Sequence, residues 1–327
     1  MKENRKRIFR QILILLILFP ICLISTGMIY FGSTVFRSQI PLLQLIDGNS
    51  TIEPALVLKS EPITNPGVID LEVPSTVQLF MVLGSDFRPE SGFRTDVIML
   101  VAVDSLSGKV SLVSFPRDLW VSIPGYYEER INTAMQLGGF QLFANMMQAN
   151  FGIYPTQFAM IDMEGFLKII DELGGISFET EYYTADACDS SLEIDRWCEV
   201  GPGFVDFNSD WALWYVRARY NSSDFDRMRR TQEVVGAVAN KLIQPQGWFK
   251  LPALMSIYES EVESNITPSN LLTAARFAIG FDGTEDIRHF SIGPNEATNW
   301  TTTQGASVLI PNIPAIQAIL QEAITFD

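Results

Sequence analysis

Histidine is almost missing from this chain: His289 is the only one in 327 residues. That removes the Ser-His-Asp and Cys-His routes to a nucleophile unless His289 itself serves, so any chemistry rests on carboxylates, arginine and a bound ion. Cysteine is nearly as scarce, with three residues. Cys188 and Cys198, with a histidine far away in sequence, are too few ligands for a zinc site. Positive charge is also sparse: 23 Lys and Arg stand against 38 Asp and Glu, for a net charge of −15. A domain so acidic, with its arginines clustered locally, does not read as a nucleic-acid binder. No internal repeat or low-complexity tract appears. What is abundant is apolar side chain, 47% of the sequence, ample for a folded core.

The opening "MKENRKRIFR" (1–10) carries five basic residues, and an uncharged, mostly apolar run from Gln11 to Phe36 follows. At about 1.5 Å of rise per residue such a run crosses a bilayer, and Pro20 is tolerated there. Residues 11–36 therefore read as a transmembrane helix with a cytoplasmic basic tail and an extracytoplasmic remainder. A cleaved signal peptide is the alternative, opposed by the length of the run and the lack of an A-x-A site. Cys188 and Cys198 flank the loop "CDSSLEIDRWC", and outside the cytoplasm two nearby thiols are expected to pair. Residues 37–76 are proline-punctuated and read as a stalk.

From Val77 the pattern changes. "VQLFMVLG", "VIMLVAVD" and "KVSLVSF" are buried strands, the last two joined by the hairpin turn "SLSGK". "QLFANMMQANFG" and "MEGFLKIIDELGG" have helical spacing, the second with Asp162 as N-cap and Gly174-Gly175 as its stop; "FAMID" and "ISFET" flank it as strands. "LLTAARFAIG", "DIRHFSI" and "PAIQAILQEAI" continue the mixed style. The expectation is one α/β or α+β domain over 77–327, a sheet covered by helices.

Three charged motifs stand out. "LGSDFRPESGFRTDVIML" presents Asp86 and Arg88 at the end of one strand, and Arg94 and Asp96 at the start of the next. Two carboxylates on such an edge suit a hard divalent ion that also takes phosphate oxygens, although an aspartate turn with surface ion pairs would use the same residues. "SFPRDLWVSIPG" carries Arg117 and Asp118 at another strand end. "SDWALWYVRARY" reads as a helix capped by Asn208, Ser209 or Asp210, with Arg217 and Arg219 at its last turn, where the helix dipole alone favours cations. A second helix begins near Ser222 or Ser223; Asp224, Arg227 and Arg230 are spaced to share one side, and Val234, Val235, Val238 and Leu242 mark the buried side. Arginine here fits bidentate contact with phosphate, and an ordinary salt-bridged surface helix would look similar.

The ordered blocks "LGSDFR", "FRTDVIMLVAVD", "VSFPRDLWVSIPG", "RINTAMQLGG", "ALWYVRAR" and "SDFDRMRRTQEVV", spanning Val77 to Leu242 behind an N-terminal span, resemble the LytR-CpsA-Psr family of bacterial envelope proteins. The resemblance implies a central mixed, largely antiparallel sheet between helices, with an apolar pocket for a polyprenyl chain. It also implies a Mg²⁺-assisted (or Mn²⁺-assisted) phosphotransferase at the outer membrane face, moving a glycopolymer from a polyprenyl-pyrophosphate carrier to peptidoglycan. By position it makes Asp86 and Asp96 metal ligands, and Arg94, Arg117, Arg217, Arg219, Arg227 and Arg230 the pyrophosphate clamp, with Gln232 beside them. Asp224 becomes the carboxylate that orients an arginine or deprotonates the acceptor hydroxyl, with Asp118 a weaker candidate. Two positions depart from the family pattern: Thr231 stands where glutamine is usual, and Asp226 where glycine is common, adding negative charge near phosphate.

Phosphoryl transfer asks side chains mainly for positioning and charge stabilisation, which arginine and Mg²⁺ supply without histidine. A cationic cleft on an acidic domain suits an anionic lipid-linked substrate. The Phe and Met residues of "FQLFANMMQANFG" and "FAMIDMEGFLKII" either line the lipid pocket or are core. Two other functions stay open: a polyprenyl-pyrophosphate hydrolase with water as acceptor, and a non-catalytic lipid-binding regulator.

Overall fold

A computed structural model of the protein describes residues 67–88, 92–220, 222–267 and 287–326. The basic tail, the expected span at 11–36, the first part of the stalk and "LLTAARFAIG" lie outside them. Among the described residues no helix is long and apolar enough to cross a membrane.

In chain order the domain runs β1 (Val77–Arg88), β2 (Gly92–Asp104), β3 (Val110–Ser114), β4 (Trp120–Ser122), β5 (Glu128–Arg130), a 3-10 turn (Ile131–Thr133), α1 (Ala134–Phe151), β6 (Gln157–Ile161) and α2 (Met163–Leu173). It continues through β7 (Ile176–Thr180), β8 (Thr184–Ala187), β9 (Trp197–Val200), β10 (Gly203–Phe207), α3 (Ser209–Arg217), α4 (Asp224–Ile243) and α5 (Pro245–Glu261). It ends with β11 (Val262–Ser264), β12 (Ile287–Ser291), β13 (Ala297–Thr301), β14 (Ser307–Pro311) and α6 (Ile313–Ile324).

Six strands form the central sheet in the order β11-β6-β1-β2-β3-β12. Pairs β1–β2, β2–β3 and β11–β6 are antiparallel, and β1–β6 and β12–β3 are parallel. The sheet is thus mixed and mostly antiparallel, as expected. Strand alternation sends successive side chains to opposite faces, so both faces of these apolar strands are buried. Met81, Leu83, Ile98 and Leu100 pack with Phe143, Met147 and Phe151 of α1 and Ile316 and Leu320 of α6. On the other face Met99 and Leu112 meet Val82, Val101 and Val235 of α4. A second core joins Ile170, Ile176, Cys198, Trp214, Tyr215 and Val234, drawn from α2, the small strands, α3 and α4.

Local signals fix most helix ends. Asp162 Oδ1 accepts from Gly165 N at 2.9 Å, and Gly174 ends α2 at φ 73°. Asn208 caps α3 through Trp211 N, and Ser223 caps α4.

Strand β7 lies outside the central sheet and pairs antiparallel with β10, and Gly175, at φ 87°, lets the chain pass against Phe207 O at the end of β10. The last residues of the expected 37–76 stalk touch the domain. Leu71 and Val73, two apart on an extended segment, pack against the main core, and Leu71 N donates to Gly152 O at 2.7 Å. Gly152 has φ 70°, and a Cβ there would collide with Ile69 O, so glycine is required twice over.

Candidate active site

The site grows from an irregularity between β1 and β2. Gly84 pairs with Val97 but Ser85 pairs with Thr95, so Asp96 is the extra residue of a β-bulge. A bulge re-aims side chains, and here it puts Asp96 on the same cavity wall as Asp86, whose cross-strand partner is Arg94. Gly84 is part of the device: a Cβ on it would stand 2.9 Å from Val97 Cβ.

The segment after β3 brings Arg117 to this edge, and the first residue of α4 brings Asp224. Arg117 Nη1 donates to Asp96 Oδ2 at 3.0 Å, and its Nε lies 3.4 Å from Asp118 and 3.8 Å from Asp224. Arg227, one turn on, closes on Asp224 Oδ1 at 2.6 Å. Arg130 Nε sits 3.0 Å from Asp118, and Asn132 Nδ2 donates to Asp96 Oδ1 at 3.4 Å. Three distant blocks therefore meet in one ion network. Burial pulls the Arg117 guanidinium down, but Asp96, Asp118 and Asp224 outweigh it and hold its pKa above the ordinary value. Burial raises the Asp224 carboxyl; Arg227 and Arg117 oppose this, Asp118 and Asp96 reinforce it, and the net shift is upward. Burial lowers Arg227 despite Asp224. Asp224 Oδ2 and Asn132 Oδ1 are buried and find no hydrogen-bond partner among the described residues.

Two cavities meet here. The larger, about 870 Å³, runs between sheet and helices along Val82, Val97, Phe166, Leu213, Trp214, Val216 and Val235, with Asp86, Asp96, Arg217, Arg219 and Arg227 also on its wall. The smaller, about 560 Å³, is lined by Arg94, Asp96, Arg117, Asp118, Arg130, Asn132, Arg219 and Asp224, and by Asn299 and Ser307 of the β13–β14 hairpin. Asp96 and Arg219 belong to both. The methionines and phenylalanines divide by element: Phe143, Met146, Met147 and Phe151 are fully buried core, whereas Ile161, Met163 and Phe166 reach the larger cavity.

Not every residue of the expected clamp faces these cavities. Arg230 is 1% exposed, donates to Ala218 O and lies over the Tyr215 ring, tying α4 to the end of α3. Gln232 donates to Ser114 Oγ at 2.8 Å and Phe290 O at 2.7 Å, and its Oε1 accepts from His289 Nδ1 at 3.2 Å. Burial lowers the His289 pKa, with the Glu233 carboxylate opposing it only in part. The two departures also find places. Asp226 Oδ2 accepts from Ser223 N at 2.7 Å, so its charge serves the helix start. Thr231 lines the larger cavity and donates to Arg227 O at 2.9 Å.

Among the described residues no group of three or more His, Cys, Asp or Glu could hold a metal by itself. Asp86 and Asp96 on one wall nevertheless match the donor set of Mg²⁺, which takes one or two carboxylates and fills its shell with water and substrate phosphate oxygens.

Arg130, Asn132, Asn299 and Ser307 were not singled out by the sequence. The block "RINTAMQLGG" contains the first two, but nothing in residue type or spacing tells a buried asparagine on a cavity wall from a turn residue.

Comparison with known proteins agrees with this architecture. The model of the LytR_cpsA_psr family matches residues 60–325. "Regulatory protein MsrR" of Staphylococcus aureus (strain COL) is 30% identical over 270 residues, covering 80% of this chain and 77% of MsrR. "Polyisoprenyl-teichoic acid--peptidoglycan teichoic acid transferase TagU" of Bacillus subtilis (strain 168) is 25% identical over 194 residues, 58% of this chain and 60% of TagU. The structure of TagT bound to LIIa-WTA shares the fold with a TM-score of 0.61 at 18% identity, over 76% of this chain and 90% of TagT. With a family model spanning most of its length and a relative matched across four-fifths of it, the chain belongs to the LytR-CpsA-Psr family.

Proposed function

We propose that the protein is a membrane-anchored phosphotransferase that moves a glycosyl phosphate from a polyprenyl-pyrophosphate carrier to peptidoglycan. The observation that carries the reading is the sharing of Asp96 and Arg219 by an apolar cavity and a polar one. A lipid tail in the first leaves its diphosphate at the junction, among Arg217, Arg219 and Arg227. TagU, named as a teichoic acid transferase acting on peptidoglycan, supports the substrate class.

In the proposed reaction an acceptor hydroxyl oxygen attacks the sugar-linked phosphorus. The bridging P–O bond breaks, polyprenyl phosphate leaves with the bridging oxygen and its electron pair, and a glycan-phosphate-acceptor diester remains. The hydroxyl proton goes to Asp224 Oδ2, whose raised pKa brings it nearer the range useful to a general base. Arg117 holds Asp96, Asp118 and Asp224 together, and Arg227 orients Asp224 while facing the phosphates. Asp86 and Asp96 would hold Mg²⁺, which would supply positive charge for the phosphate oxygens. Arg230 and Gln232 support the clamp by fixing α4 rather than by touching substrate.

The anchor in this reading is the run at 11–36. The Cys188–Cys198 bridge, with a Cα–Cα distance of 5.7 Å, supports an oxidising, extracytoplasmic setting for the domain. The test is an assay of the full chain with a short polyprenyl-pyrophosphate glycan and a peptidoglycan fragment, products identified by mass spectrometry. Wild type should give the coupled phosphodiester with Mg²⁺, and Arg227→Ala and Asp86→Ala should lose it. Release of free glycan phosphate even with acceptor present would identify a hydrolase. Donor binding without any consumption would identify a regulator.

A further inference from the structure

The β8–β9 hairpin forms one side of the apolar cavity, through Asp186, Ala187 and Cys188 and the loop residues Asp189, Ser191 and Leu192. A carboxylate on the wall of a cavity that takes a diphosphate repels its ligand, so the use to which Asp186 is put matters. Both its oxygens are engaged. Oδ1 accepts from Ala187 N at 2.7 Å, and Oδ2 accepts from Arg219 N at 2.5 Å. The second bond runs from the hairpin to a residue that lines both cavities.

Arg219 N belongs to the peptide group that joins Ala218 to Arg219, and the carbonyl of that same group accepts from the Arg230 guanidinium. One peptide is thus gripped by a carboxylate at its N–H and a guanidinium at its C=O, two charge-assisted bonds that polarise it in the same sense. Ser222 adds two restraints, its Oγ donating to Ala218 O at 3.3 Å and its N to Arg219 O at 3.1 Å. Ala218, at φ −52° and ψ 136°, has already left the helix, and Arg219 beyond it is exposed, so no helical ladder holds the backbone here. From this we infer that Asp186 is a positioning residue for Arg219, fixing its backbone so that the guanidinium meets the donor diphosphate where the two cavities join; the assignment rests on the transferase reading above.

The hairpin is braced for this task. Asp186 lies opposite Cys198 in the β8–β9 register, and Cys198 is bonded to Cys188, two residues beyond Asp186. Ala187 O accepts from Trp214 Nε1 at 3.2 Å, and Trp197 meets Tyr220 edge-on with ring centroids 4.8 Å apart. The hairpin therefore holds α3 and the residues after it at Trp214, Arg219 and Tyr220.

The test is equilibrium binding of geranylgeranyl diphosphate to the full chain in detergent with Mg²⁺ present. The sign separates two roles for Asp186: if it only repels phosphate, Asp186→Ala binds more tightly, and if it positions Arg219, the variant binds less tightly. Kd should rise about tenfold in Asp186→Ala, the worth of one charge-assisted hydrogen bond. Asp186→Asn, which keeps an acceptor oxygen for Arg219 N, should recover most of that loss. In an Arg219→Ala background the change of Asp186 to alanine should have no effect, because the group it places is gone, whereas a merely structural loss would add in full. Asp186→Glu keeps the charge but carries the carboxylate one methylene further, so it should weaken binding about threefold and tests the placement even if Asp186→Ala fails to fold. Absence of binding to wild type, tighter or unchanged binding in a folded alanine or glutamate variant, no recovery by asparagine, or a full loss in the Arg219→Ala background each overturns the assignment. Failure of the transferase reading appears separately, as a wild type that binds the diphosphate with this pattern of variants and never consumes a glycan donor.

Discussion

Arg117→Ala tests the electrostatic logic of the site most directly. The wild-type guanidinium stands 3.0, 3.4 and 3.8 Å from Asp96, Asp118 and Asp224, with 19% of its side chain exposed. Removing it leaves three carboxylates around a gap, with Arg227 still on Asp224 and Arg130 still on Asp118. Exposed pairs contribute under ~1 kcal/mol and breaking a buried one costs about 3–5, so a site of this exposure should lose roughly 3 kcal/mol. For a domain of this size that lowers Tm by about 6–12 °C. The sign of the pH effect follows from the charges left behind. Asp224, whose carboxyl burial already raises, loses the opposing charge of Arg117 and rises further in the folded state. Groups with raised folded-state pKa favour the fold at low pH and lose that contribution as pH rises. The deficit of the variant should therefore be largest at pH 7.5 and shrink toward pH 5. Thermal unfolding of the full chain in detergent, followed by tryptophan fluorescence, reads it. A deficit equal at both pH values, or none at pH 7.5 with activity lost, would refute the network account and leave Arg117 as a substrate contact alone.

Asp224→Asn should reduce transfer by about 10²-fold or more, the usual worth of a general base, while polyprenyl phosphate still binds; in wild type the acid limb of the rate profile should fall above the ~3.9 of an ordinary aspartate. Cys188→Ser with Cys198→Ser should lower stability by about 2–3 kcal/mol, the entropy of opening a loop of this length, measured by urea unfolding. Because Cys188 and Leu192 line the apolar cavity, the same variant should weaken polyprenyl phosphate binding. Asp104, whose carboxylate accepts from Leu106 N and Ser107 N in the β2–β3 turn, has its pKa lowered to about 2. Its contribution should be intact above the unfolded value and lost as pH falls from about 4 to 2, a loss absent from Asp104→Asn.

How far the sequence disclosed this molecule depends on whether the signal was local. The strands β1 to β3, the caps at Asp162 and Ser223, and the pairing of Cys188 with Cys198 follow from alternation, short-range side-chain chemistry and proximity in sequence. The meeting of Asp86, Asp96, Arg117, Asp224 and Arg227 was legible because each stands at the end or start of a recognisable element, where edges of a sheet and the tip of a helix converge. Arg230 was not. Spacing of three suggests a shared side, but each such step falls about 60° short of a full turn, so the drift from Asp224 reaches about 120° by Arg230. That rotation carries a guanidinium from the cavity wall into the α3–α4 joint, where Ala218 O takes it. It predicts a division of effects within one helix: Arg227→Ala loses turnover in a folded protein, whereas Arg230→Ala loses the fold, with a Tm drop that added Mg²⁺ and donor do not selectively repair. Equal loss of turnover at unchanged Tm in both would return Arg230 to the clamp and mean that the joint at Ala218 opens when substrate binds.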